Sequence, residues 1–325
     1  MRKYLVLISF VFVSIIAASL GLIWYFSQTT APSTNSEEKR FVITKGSSAT
    51  KIANDLAEVG LIKSALAFKV YTQINGISDS LPPGQFKIPQ NLSVEEVIGL
   101  LRAGPTELWV TIPEGLRREQ YPKNIAEDLE LSPAASQSFE EEFLALTEDM
   151  EGYLYPDTYL FPPDATASQV VSVLTNTFDK KFTPTEDELA AVGLNLDEAV
   201  TLASIIERET KNADERPTVA GIYFNRLSAV WPLQADATLQ YILGDETDWW
   251  VPPAAADKEL NSPFNTYRYP GLPPAPIANP SLTSLESVIK PEDMDYWYYI
   301  HDRDGNIHYA RTLEEHNLNI QRYLR

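Results

Sequence analysis

Residues 4–26, YLVLISFVFVSIIAASLGLIWYF, carry no charged side chain. About 20 such residues cross a bilayer as a helix, so this stretch constrains the placement of everything after it. Arg2 and Lys3 precede it, and the excess of basic residues on the cytoplasmic side assigns residues 1–3 to the cytoplasm. Trp24 and Tyr25 close it, where interfacial aromatic residues sit. A signal peptide normally has an apolar core of about 7–15 residues. This one is longer, and Thr29-Thr30-Ala31 is a poor cleavage site. The reading is an uncleaved anchor over 4–26, a polar linker over 27–40 and an extracytoplasmic remainder.

The absence of cysteine excludes disulfides, zinc–thiolate centres and thiol nucleophiles. A formal charge of −19 argues against binding nucleic acid through its phosphates. The chain has no phosphate-binding loop, dinucleotide fingerprint or Gly-x-Ser-x-Gly elbow. His301, His308 and His316 have no metal-ligand spacing. DRDGN, residues 302–306, resembles a fragment of a calcium loop, but its glycine falls too early and Leu313 stands where a bidentate glutamate is expected. A hairpin turn is the simpler reading. The expectation is no metal and no cofactor.

The rest of the chain reads as α+β. Residues 41–104 alternate short apolar runs with helical spacing: strand, turn and helix through Ile52, Leu56 and Val59, a second helix over SALAFKVYTQING, then a strand and a third helix ending near Gly104. LWVTIPEGLRREQYPKNIAEDL echoes the opening strand–turn–helix. EGYLYPDTY, from residue 151, fits a sugar platform or a buried aromatic strand, and its pattern favours the strand. Helical spacing returns at ASQVVSVLTNTFDKKF and at NLDEAVTLASIIERETKN, which Asn195 is placed to cap. Pro217 opens a further helix. The stretches WPLQADATLQYILGD, NSPFNTYRYPGLPPAPIANPS and SLTSLESVIKP read as loop-rich, the first two suited to holding a sugar or serving as proline-stiffened connections. MDYWYYIHDRDGNIHYARTLEEHNLNI reads as a hairpin and a short helix.

Within LASIIERET, residues 202–210, two glutamates fall on different sides of the helix. At about 100° per residue, Glu209 lies about 20° from Leu202, in the middle of the apolar stripe, and Glu207 about 140° away, on the polar side. Glu207 reads as solvated. Glu209 is either a core-facing carboxylate neutralised by an arginine such as Arg226, or one lining a cleft bordered by the apolar face. Burying a carboxylate without a partner costs several kcal/mol unless its pKa rises, and a raised pKa suits a general acid.

The motifs EGYLYPDTY, LASIIERET, FNRL, LQADATLQY, SPFNTY and GLPPAPIANP, in this order, resemble those of the endolytic murein transglycosylases, the G-type membrane-bound lytic transglycosylases. The resemblance spans residues 41–325 and the anchor. It implies a LysM-like subdomain over 41–104 and a larger α+β catalytic domain over 105–325. It also implies cleavage of nascent peptidoglycan strands between N-acetylmuramic acid and N-acetylglucosamine, leaving 1,6-anhydro ends, at the outer face of the cytoplasmic membrane. Glu209 matches the family's catalytic position, the second glutamate of Ser-Ile-x-Glu-x-Glu. Gln234, Asp236, Asn265 and Tyr267 match positions expected to meet the substrate, and peptidoglycan synthases or division proteins are expected partners. Two positions depart from the family pattern: Ala237 stands where proline is usual and Ser281 where glycine is common. Two other readings stay open, a catalytically silent glycan-binding scaffold and a muramidase using Asp236 as a second carboxylate.

Overall fold

The computed structural model describes residues 2–77 and 81–324, and Met1, within the assigned cytoplasmic segment, lies outside them. The chain forms two compact units, residues 1–110 with 159–164, and residues 111–158 with 165–325.

In the first unit, helix α1 (Arg2–Thr29) contains an apolar span, Phe10–Thr29, long enough to cross a membrane. It outruns the expected anchor at both ends, and strand β1 (Glu38–Ile43) begins earlier than residue 41, so the linker shortens to residues 30–37. Helices α2 (Ala49–Glu58) and α3 (Ala65–Ile74) follow, capped by Ser48 and Ser64. Strand β2 (Gly84–Pro89) pairs antiparallel with β1, setting Phe41 opposite Phe86. Helix α4 (Val94–Ala103) starts at a Ser93–Glu96 capping box. Phe41, Ile52, Leu56, Phe68, Phe86 and Leu101 fill the core. Val59, counted in the α2 stripe, instead ends that helix half-exposed. Strand β3 (Leu108–Thr111) pairs with β4 (Thr158–Phe161).

The second unit is mainly helical: α5 (Tyr121–Asp128), α6 (Pro133–Leu146), α7 (Ala167–Lys181), α8 (Glu186–Val192), α9 (Leu196–Glu209), α10 (Arg216–Ser228), α11 (Asp236–Leu243) and α12 (Leu282–Ile289). The hairpin β5 (Tyr298–His301) and β6 (Ile307–Ala310) precedes α13 (Leu313–Tyr323). Asp302 closes the hairpin turn by accepting from the N–H groups of Asp304 and Asn306.

Four helices, α6, α8, α11 and α12, lie where the sequence reading had none. Helix α12 starts at a Ser281 cap and buries Leu285 and Val288. Helix α6 starts at a Ser132 cap with Pro133 in its first turn and buries Phe139 and Phe143, one turn apart. Helix α8 is short and buries no side chain, so it has no apolar stripe to find. Helix α11 falls in the segment read as loop. The strand in EGYLYPDTY covers only its end, and residues before Thr158 turn back through Gly152. Gly152 has φ 89°, and a Cβ there would meet Val200 of α9 at 2.7 Å, so this turn requires glycine.

Helix α9 is the centre of the second unit, packed by α10, α11 and α12. Every residue from Ala199 to Glu207 is buried. Burying Leu202, Ile205 or Ile206 contributes about 1.5–3 kcal/mol each. Ser204 Oγ accepts from Ile277 N at 3.0 Å, pinning the proline-rich 271–280 segment to the helix.

Candidate active site

Asn195 caps α9 as expected: its Oδ1 accepts from Glu198 N at 2.9 Å, and Glu198 Oε2 accepts from Asn195 N at 2.8 Å. The helix ends at Glu209, so this carboxylate sits at the negative end of the helix dipole, where an anion is disfavoured. Glu209 Oε1 accepts the Ala237 N–H at 2.9 Å and Oε2 accepts the Tyr299 hydroxyl at 2.8 Å. Tyr299 is in turn bonded to the buried Tyr223 hydroxyl at 2.8 Å.

Glu209 opens onto a cavity of about 480 Å³ that Gln234, Asp236 and Tyr267 also line. Burial raises the Glu209 pKa above the usual carboxylate range, and the neighbouring Asp236 charge adds to the rise. The two hydrogen-bond donors and Arg226 pull the other way without cancelling it.

Arg226 is not its ion-pair partner. Its guanidinium donates to Trp297 O at 3.0 and 2.6 Å and to Leu233 O, tying the hairpin and the 231–235 loop together. Of the two explanations for Glu209, the geometry supports the cleft.

The solvated reading of Glu207 is corrected. Glu207 is buried, pairs with Arg216 at 3.0 Å and accepts from Ser281 N, Ser281 Oγ and Ser284 Oγ at 2.6–2.9 Å. The helical wheel assumed a solvent face, but α9 is covered on all sides and its polar face meets other polar groups. Ser281 therefore has a part here that glycine could not take: it braces Glu207 and caps α12. Its φ of −70° suits any residue. Ala237 also matters through its backbone, since proline has no N–H to offer Glu209.

The structure brings Glu209, Gln234, Asp236 and Tyr267 together. Tyr267 Oη donates to Asp236 Oδ1 at 2.6 Å, and the Lys258 ammonium lies 4.3 Å from the Tyr267 ring centre. Gln234 is exposed with φ 53°, a left-handed backbone held by its N–H donating to Thr266 O at 3.0 Å.

Asn265 does not join them. It is fully buried, its amide donates to Lys258 O and Leu260 O, and its Oδ1 accepts from Tyr267 N at 3.0 Å. Its side chain shapes the loop that presents Tyr267, and it is not among the residues lining the cavity. Sequence reasoning missed Tyr299, whose only signal was its place in the aromatic run YWYYIH.

A second cavity, of about 370 Å³, is lined by Glu151, Glu119, Tyr153 and Tyr241. Glu151 accepts from Arg118 N and from Asn279 Nδ2. Burial, with the Glu119 charge, raises its pKa to about 8. The neutral form is thus favoured in the fold. This contribution to stability is complete below the ordinary value of 4.5 and is lost as pH rises through about 8. Glu151→Gln is expected to remove up to about 1.4 kcal/mol per pH unit of stability loss across that window. Urea unfolding of both proteins at several pH values checks this, and parallel declines would show that Glu151 is not the titrating group.

The model of the YceG-like family matches residues 41–322. An endolytic murein transglycosylase of Bacillus subtilis (strain 168) is 29% identical over 305 residues, covering 87% of this chain and 84% of the relative. One from Streptococcus pneumoniae serotype 2 is 27% identical over 334 residues, covering 89% of this chain and 60% of the relative. The crystal structure of a YceG-like protein from Listeria monocytogenes superposes with a TM-score of 0.55 at 28% identity, covering 87% of this chain and 99% of that one.

Proposed function

We propose, from the premise that the chain belongs to the YceG-like family, that it is a membrane-anchored lytic transglycosylase of peptidoglycan with Glu209 as its acid and base. The observation that carries this reading is a carboxyl with a raised pKa, held by two donors, facing a cavity lined by Asp236, Gln234 and Tyr267. The Bacillus and Streptococcus relatives, named endolytic murein transglycosylases, support the substrate class.

The chemistry needs one carboxyl group. Protonated Glu209 gives its proton to the glycosidic oxygen as the bond to C1 of N-acetylmuramic acid breaks, freeing the next sugar's hydroxyl. The muramic acid C6 hydroxyl attacks C1 and returns its proton to Glu209. The product is a 1,6-anhydro end and no water is consumed. Burial keeps the proton on Glu209 at the start, and the Ala237 N–H and Tyr299 hydroxyl hold the anion formed midway. Tyr299 and Tyr223 have pKa values well above the usual tyrosine value, raised first by burial and then by the Glu209 charge, so both remain hydroxyl donors.

The anchor is α1, with the N-terminus in the cytoplasm and residues 41–325 outside. Residues 41–104 act as a LysM-like glycan-holding subdomain, and cleavage of nascent strands ends their elongation beside synthases or division proteins. Asp236 supplies the rival reading, a hydrolase with two carboxylates. Mass spectrometry of products from uncrosslinked strands separates the two: anhydro ends are expected, and reducing ends with added water would identify a muramidase. Intact strands would point to the silent scaffold.

A further inference from the structure

Helix α3 is apolar on two opposite faces. Ala67, Phe68 and Thr72 are buried in the core of the first unit. On the far side Leu66, Val70 and Ile74 recur every four residues and share one stripe. Leu66 is 55% exposed and Ile74 74%, and no large apolar side chain outside α1 among the described residues is more exposed than Ile74. The charge here is also unlike the rest of the chain. Residues 60–77 contain Lys63 and Lys69 and no acid, although the whole sequence has 45 acidic and 26 basic residues.

The position of α3 says what covers this stripe. Helix α3 packs on α1 within the first unit. At its N-terminal end, Lys63 Nζ donates to Thr30 Oγ1 at 2.6 Å, one residue past the end of the apolar helix. The stripe is thus tied to the point where the chain leaves the bilayer. An interfacial helix needs an apolar face for the acyl boundary and basic residues for the headgroup phosphates. Helix α3 has the face and Lys69, and Lys63 stands just before its Ser64 cap.

We infer that α3 lies in the headgroup region of the membrane that α1 crosses, with Leu66, Val70 and Ile74 meeting the acyl boundary and Lys63 and Lys69 meeting lipid phosphates. The occupant of this face is the outer leaflet, continuous with the lipid around α1. The inference rests on the anchor reading of α1 and extends it: the membrane is held through a second element, so the first unit does not swing freely on residues 30–37.

Because the chain has no cysteine, single cysteines report cleanly. The full chain is placed in nanodiscs of neutral and anionic phospholipid, with an environment-sensitive fluorophore at Ile16→Cys in α1, Ile74→Cys in α3 or Glu95→Cys on the exposed face of α4. Quenching by lipid spin-labelled near the headgroup is compared with quenching by aqueous iodide. The expected result is loss of Ile74→Cys fluorescence to the lipid quencher, protection from iodide and blue-shifted emission. Glu95→Cys is expected to lose its signal to iodide. Iodide quenching at Ile74→Cys equal to that at Glu95→Cys would overturn the inference. Protection from both quenchers would also overturn it, because protein rather than lipid would then cover the stripe. Lipid contact at Ile16→Cys reports on the anchor separately, and iodide quenching there would overturn the anchor reading and this inference together.

Discussion

Glu209→Gln is expected to lower strand cleavage by ~10³-fold, within the range that positioned acid–base groups supply, and to leave the fold intact. Glutamine has nearly the same shape and can still accept the Ala237 N–H at Oε1. It has no proton of suitable acidity for the glycosidic oxygen and cannot take the C6 proton. Stability is expected to hold or rise, because a neutral amide replaces a carboxyl whose charged form is disfavoured by burial. Turnover with purified glycan strands, read beside an unfolding curve, checks both halves. Substantial residual cleavage would move the acid role to another group, with Asp236 the first to examine.

Arg216→Leu is expected to act in the opposite sense, on the fold first. The Arg216 guanidinium meets Glu207 at 3.0 Å and Ser281 Oγ at 2.8 Å, with both charged side chains under 10% exposed. Removing it leaves the Glu207 carboxylate buried beneath the hydroxyls of Ser281 and Ser284 without its cation. Breaking a buried pair from one side typically costs about 3–5 kcal/mol. Urea unfolding measures it, and a loss under about 1 kcal/mol would put the pair among solvated ion pairs. Adding Glu207→Gln to Arg216→Leu is expected to recover part of the loss, because the uncompensated charge then disappears.

The contrast between these two glutamates defines how far the sequence could be read. Periodicity placed Glu209 on the apolar stripe of α9, and the structure has it at the helix end, opening onto a cavity. The same periodicity misjudged Glu207, because a helical wheel records faces and cannot say which of them meets solvent. The cap at Asn195 and the proline opening α10 are local chemistry and were legible. Helix α11 was not: its first turn has no side-chain cap, and its N-terminal N–H at Ala237 is satisfied instead by Glu209, 28 residues earlier in the chain. Asn265 and Tyr299 show the same limit. An asparagine in a polar loop looks like a ligand contact until its amide is seen holding two carbonyls. A tyrosine in an aromatic strand looks like packing until its hydroxyl meets a carboxylate.

The protonation of Glu209 is accessible directly. Carbon-13 NMR of side-chain carboxyl-labelled glutamate, wild type minus Glu209→Gln, isolates its resonance across a pH series. The resonance is predicted to keep its protonated position after exposed glutamates have ionised, and to titrate above them. A resonance that titrates with the exposed glutamates, or below them, would contradict a proton held in readiness for the glycosidic bond.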